Sequence, residues 1–150
     1  MGLWFEDFKR GATFDHDGRL EVAQADNVAF CELTRNTQPL HLDAAAAKEQ
    51  GFRDALVNGL YTFSASVGMS VPDLTEGTLI ANMGYEDVRH PRPVFPGDVL
   101  RVRSEVLESR PSSKPGRGVV RIGHEVLNQD DEVVCVYNRT VLVRCRPESS

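Results

Sequence analysis

A chain of 150 residues, 41% hydrophobic and 26% charged, is the size of one domain and holds enough apolar material for its own core, which argues against wholesale disorder. Its net charge of −5 disfavours a nucleic-acid partner, although Arg89, Arg92, Arg101 and Arg103 lie close enough in sequence to form a local patch for a small anion. Cys31, Cys135 and Cys145 show no CxxC or Cys/His metal spacing, so a disulfide framework or structural zinc is not expected and a reducing cytosol is favoured.

The N-terminus meets Glu6 and Asp7 at once and has no apolar core of a secretory signal; Glu6 also occupies the position where a myristoylation motif wants Ser or Thr. No apolar run approaches transmembrane length. A single domain over residues 1–150 in the cytoplasm is therefore expected, with residues 147–150 as a frayed tail.

Along the chain, a short strand or turn is expected around Thr13 to Val22. A helix follows from Gln24, with Asp26 as its cap and Val28, Ala29, Cys31 and Leu33 as a partial apolar face. Pro39 disfavours helix at Gln38, and Asp43 starts a second helix through Ala44 to Glu49 that ends at Gly51. Ala55 to Val71 is apolar or small on nearly every side, the pattern of a helix buried all round, and Pro72 is expected to end it. Beyond Gly77 the period changes to that of strands: Thr78–Tyr85, Val99–Leu107, Gly118–Leu127 and Glu132–Arg144, joined as hairpins, with Asn128–Asp131 a turn and Arg110–Gly116 a loop. One long buried helix with antiparallel strands predicts an α+β fold in which a bent antiparallel sheet wraps the helix, the hotdog arrangement. A single copy leaves sheet edges open, so a homodimer is expected.

Chemistry concentrates in Leu33 to Asp43, where amides, an imidazole and a carboxylate surround one rigid Pro39-Leu40 step. Arg35-Asn36-Thr37-Gln38-Pro39-Leu40-His41-Leu42-Asp43 followed by Gly51-Phe52, Val57-Asn58-Gly59-Leu60, and Pro93-Val94-Phe95-Pro96-Gly97-Asp98-Val99-Leu100 are three elements in order. In them the chain resembles the MaoC-like dehydratase family, also called R-specific enoyl-CoA hydratases, over most of its length. Members acting on branched dicarboxylyl-CoA esters, such as mesaconyl-CoA or β-methylmalyl-CoA, are similar in having Asn-Thr-Gln at the motif.

The resemblance implies the hotdog fold and reversible addition of water to an enoyl-CoA, with coenzyme A arriving as part of the substrate and no separate cofactor. Where family members carry a catalytic Asp and His five residues apart, this chain has Asn36 and His41. His41 would exchange the proton, Asn36 and Gln38 would fix the water, and the Gly59 N–H at a helix start would bind the thioester oxygen. Asp43 either orients the imidazole or caps its helix; Asn58 either touches substrate or satisfies the helix start. Arg89 and Arg92 would meet coenzyme A phosphates or a carboxylate on a short, branched or dicarboxylic acyl group. Tyr61 and Phe63 read as core, and His16 and His124 are given no special role. A hotdog thioesterase and a non-catalytic acyl-CoA-binding subunit are the competing readings, the second kept open by the amide at Asn36.

Overall fold

A computed structural model describes residues 1–148. After a 3-10 turn at Phe5–Asp7 come β1 (Thr13–Asp15), β2 (Leu20–Glu21), α1 (Gln24–Thr34), α2 (Pro39–Leu42), α3 (Ala44–Glu49), α4 (Gly59–Leu74), β3 (Leu79–Arg89), β4 (Val99–Pro111), β5 (Arg117–Leu127) and β6 (Val133–Arg144). The strands form one antiparallel sheet in the order β1-β4-β5-β6-β3, with β2 also on β4. The alternation read along β4 is the burial pattern: Val102, Ser104 and Val106 point inward, while Arg103 and Glu105 face water. Only β4, β5 and β6 are hairpin-linked. β3 crosses over to pair with β6 instead of its neighbour β4, leaving its other side as a sheet edge. A connection of nine residues, 90–98, joins β3 to β4 and returns to the domain through the Pro93–Asp98 turn. In that turn the buried Asp98 carboxylate accepts from Phe95 N at 2.9 Å, and Gly97 takes a φ of 91°.

The helices depart from expectation in instructive ways. α1 is capped at Ala23, with Asp26 inside its first turn, and the inward stripe is Asn27 and Cys31 while Leu33 stands exposed. The polar segment contains an unexpected turn of helix, α2, because Pro39 is well suited to a first helical position. α4 begins at Gly59 and not at Ala55: Leu56 N and Val57 N are drawn into bonds with Leu40 O and Val94 O, 2.8 and 2.9 Å, so residues 55–58 stay out of the helix. Pro72 lies inside it. The last turn survives because Thr75 N and Glu76 N both bond Val71 O at 2.9 Å, and the intervening Asp73 is held by His16.

α4 is also not buried all round. Thr62, Ser66, Ser70 and Leu74, four residues apart, face the sheet, whereas Leu60, Ser64, Gly68 and Pro72 are exposed. These small residues let the helix approach closely, and two of them bond to the sheet: Ser66 Oγ lies 2.8 Å from Tyr137 Oη, and Ser70 Oγ accepts from the buried Arg139 at 3.4 Å. At either end the core is apolar, with Val22, Val57, Leu100, Val102 and Val126 on one side and Phe8, Leu74, Val120, Ile122 and Val141 on the other.

His16 and His124, expected to be bystanders, form a buried chain through this layer. Asp73 Oδ2 meets His16 Nδ1 at 2.6 Å, His16 Nε2 meets Ser104 Oγ at 2.8 Å, and Ser104 Oγ meets His124 Nδ1 at 2.8 Å. His124 also stacks on Tyr137. Burial, reinforced by the Arg139 and His16 charges, pushes His124 down to about 3.

An unfolded histidine titrates near 6.5, so between about pH 6.5 and 3 the unfolded chain binds the extra proton and stability rises with pH. The contribution is complete above that window and is lost on acidification, at a slope approaching about 1.4 kcal/mol per pH unit. His124→Phe keeps the ring stack and removes the titration, so its urea midpoint should fall less than that of the unmodified protein between pH 6.5 and 4. Equal slopes would contradict the assignment.

Candidate active site

His41 is presented by α2, and what fixes it is an amide hub on the neighbouring helix. The Asn27 carboxamide, fully buried, donates to His41 O at 3.0 Å and accepts from Asn58 N at 2.9 Å, while Gln24 Nε2 adds a second bond to His41 O at 2.9 Å. Across the gap, the His41 ring places Nδ1 2.7 Å from Leu56 O. A carbonyl only accepts, so Nδ1 carries the hydrogen; in the neutral ring Nε2 is then the bare nitrogen able to take a proton. The chain fold thus chooses the tautomer.

Asn58 caps α4: its Oδ1 accepts from Leu60 N at 3.0 Å, and its Nδ2 points to Cys31 Sγ at 3.6 Å. The Gly59 N–H, next in line, has no acceptor among the described residues and opens onto the same cleft as His41. That cleft holds about 370 Å³ and is lined by His41, Phe52, Leu56, Val57, Gly59, and the run His90 to Val94. A larger depression of about 900 Å³ crosses the outer face of the sheet, but none of the motif residues lines it and the Arg103–Glu125 ion pair, 2.7 Å, occupies part of its wall. The smaller cleft is the one with chemistry.

Not all the residues picked from the sequence meet there. Asn36 Oδ1 accepts from Gln38 N at 3.1 Å, closing a local turn, and neither side chain lines the cleft. Asp43 is exposed and caps α3, accepting from Ala45 N at 3.0 Å; the carbonyl of Leu56, not Asp43, orients the imidazole. Asn58 is spent on capping. Arg89 and Arg92 part company: Arg89 lines the outer depression, while Arg92 lines the cleft with its guanidinium held by Glu132 at 2.7 Å.

Two residues were passed over. Asn27 hid in plain view as a polar position on the inward side of α1, where hydrophobicity alone is uninformative. His90, to which the sequence reading gave no role, lies against Gly59: a Cβ added there would sit 2.9 Å from His90 Cε1 and 3.0 Å from Nε2. Desolvation holds this imidazole below the ordinary histidine range.

Replacing Asn27 by Leu should cost about 1–3 kcal/mol, because His41 O and Asn58 N lose a buried partner, and should lower kcat through a loosened His41. Urea unfolding and steady-state rates check both; a stability change under about 0.5 kcal/mol would show the hub to be dispensable.

The MaoC like domain family matches residues 7–128. The chain is 34% identical over 145 residues to the mesaconyl-CoA hydratase of Cereibacter sphaeroides and to the β-methylmalyl-CoA dehydratase of Chloroflexus aurantiacus, covering 97% of its own length in each case. It spans only 42% and 41% of those relatives, less than half of each. The crystal structure of a MaoC-like dehydratase from Rhodospirillum rubrum superimposes with a TM-score of 0.86 at 32% identity, covering 98% of this chain and 100% of that one. With three motif elements in order, a sheet wrapped on α4 and a match over most of its length, the chain belongs to the MaoC-like domain family.

Proposed function

We propose that this domain reversibly adds water to an enoyl-CoA thioester. The observation that carries the reading is the pairing, in one cleft, of a histidine with a fixed bare Nε2 and an unpartnered helix N-terminal N–H. In the hydration direction His41 Nε2 takes a proton from water as its oxygen bonds to the β-carbon. The double-bond electrons move onto the thioester oxygen, where the Gly59 N–H stabilises the enolate. The enolate then collapses and its α-carbon takes the proton from the His41 imidazolium, so one water has been added and the histidine is restored.

Such a one-base cycle needs no carboxylate at Asn36. Among the described residues no Asp or Glu lines the cleft, which disfavours the thioesterase reading, where a carboxylate would activate water against the carbonyl. The walls Phe52, Leu56, Val57 and Val94 suit a short or branched acyl group. The names of the relatives add a dicarboxylyl option, for which Arg92, released from Glu132, is the available cation. A second copy is the natural partner, since β3 is an unpaired edge carrying exposed Met83, Tyr85 and Val88. No helix among the described residues is long and apolar enough to cross a membrane.

Loss of enoyl-thioester absorbance with crotonyl-, mesaconyl- and itaconyl-CoA tests the reaction. His41→Ala should cut kcat by about 10²–10⁴-fold with circular dichroism unchanged; an unchanged rate would refute the assignment. For specificity, Arg92→Glu should raise KM for mesaconyl-CoA more than for crotonyl-CoA, and Arg89→Glu should do neither. Equal effects of Arg92→Glu on the two esters would remove the dicarboxylyl option.

A further inference from the structure

Any enolate formed in this cleft needs more than one donor, and the Gly59 N–H is the only main-chain group at the α4 start left free for it: Leu60 N is taken by Asn58, and Tyr61 N and Thr62 N bond Asn58 O. The cleft contains one further side chain with unspent hydrogen-bonding atoms beside Gly59. We infer that His90 is the second oxyanion donor, its imidazole N–H acting with the Gly59 N–H on the thioester oxygen while His41 alone moves the proton. This inference rests on the hydration reading above.

The geometry allows one oxygen to reach both groups. A Cβ on Gly59 would lie 3.0 Å from His90 Nε2 and 3.2 Å from Nδ1. Because a Cβ sits about 2.5 Å from its own backbone nitrogen, either ring nitrogen is within roughly 5.7 Å of the Gly59 N. Two donors that share an acceptor at about 2.9 Å each can stand as far as about 5.8 Å apart. Neither ring nitrogen has a partner among the described residues, so the donor is free. His41 is tied down by Leu56 O, and His16 and His124 are locked in the core; of the four histidines, His90 alone is unrestrained by a hydrogen bond.

The near-equal distances from the Gly59 Cβ direction to three ring atoms, 2.9, 3.0 and 3.2 Å, place a ring face over the glycine. This explains the residue at 59: a methyl group there would push the imidazole away from the site. The Pro91 and Pro93 that follow stiffen the segment carrying it, and Pro91 itself disfavours helix at His90. Desolvation by burial disfavours the imidazolium, so His90 meets substrate neutral. A neutral imidazole is an effective donor to a developing enolate because it need not surrender its proton, and it leaves the acid–base cycle to His41.

The test separates a donor from a packing ring. His90→Phe keeps a ring over Gly59 without an N–H; His90→Gln gives up the ring and keeps an amide N–H. Steady-state hydration of crotonyl-CoA should show kcat down about 100-fold in His90→Phe with KM within about threefold, and within about tenfold of the unmodified protein in His90→Gln. A packing role predicts the reverse order, and that result would overturn the inference. Acetoacetyl-CoA gives a readout without turnover, because its enolate has its own ultraviolet band: bound enolate should appear with the unmodified protein and His90→Gln and be lost in His90→Phe at saturating ligand. An enolate band that depends on His90 in a protein that hydrates no enoyl-CoA would sink the hydration reading and leave the donor pair standing. Normal hydration by His90→Phe would do the opposite.

Discussion

Between α1 and the start of α4 the chain makes two short helices and a connecting stretch whose buried apolar side chains are Ala47, Ala55 and Val57. Their positions depend on two polar groups. The Asn27 carboxamide joins the carbonyl of His41 to the amide of Asn58, and the Leu56 carbonyl receives the His41 ring. Residues 27, 41, 56 and 58 come from three segments, α1, α2 and the stretch before α4, so this small network sets how far the imidazole stands from the helix N-terminus. Asn27 and Asn58 are buried, so this end of the network leaves little slack: removing the Asn27 carboxamide strands the Asn58 N–H away from water, and the cost exceeds what the bond itself contributes. The same bonds that stabilise the segment therefore determine which nitrogen of His41 faces the cleft.

Beneath that network the helix rests on the sheet through an unusually polar layer. Thr62, Ser66 and Ser70 face Tyr137, Arg139 and, further in, the His16–Ser104–His124 chain. Directional bonds there restrict sliding and rotation of α4 more than interchangeable methyl contacts would, and its first residue, Gly59, inherits that rigidity. A rigid Gly59 matters because a preorganised donor costs nothing to align when charge develops. The price is acid sensitivity, since the layer includes an imidazole that folds only when neutral.

The sequence legibly displayed the parts of the fold that follow from local pattern. Alternation in β4 to β6 and the Asp43 cap are each decided within a few residues, and the motif picked out His41 and Gly59, which line one cleft. What escaped was decided at long range. The start of α4 moved to Gly59 because Leu40 O and Val94 O claim the backbone of residues 56 and 57. The pairing of β3 with β6 joins strands that β4 and β5 separate in the chain. His16 and His124 were unreadable because they lie 108 positions apart and acquire meaning only through Ser104. Arg89 and Arg92 looked like a pair on spacing alone, yet the strand ends between them and sends the first to the outer face. His90 was visible as a residue but not as a neighbour of Gly59, since no periodic pattern links a strand end to a helix start.

Everything proposed for the site depends on the Leu56 carbonyl dictating the state of His41. Nitrogen-15 NMR of the ring-labelled protein, with the His41 signals assigned by comparison with His41→Gln, reads this directly. The account predicts that, above its own titration, His41 is the tautomer with Nδ1 protonated and Nε2 bare. A His41 ring protonated at Nε2 and bare at Nδ1 would contradict it, because the nitrogen assigned to take the proton from water would already carry one.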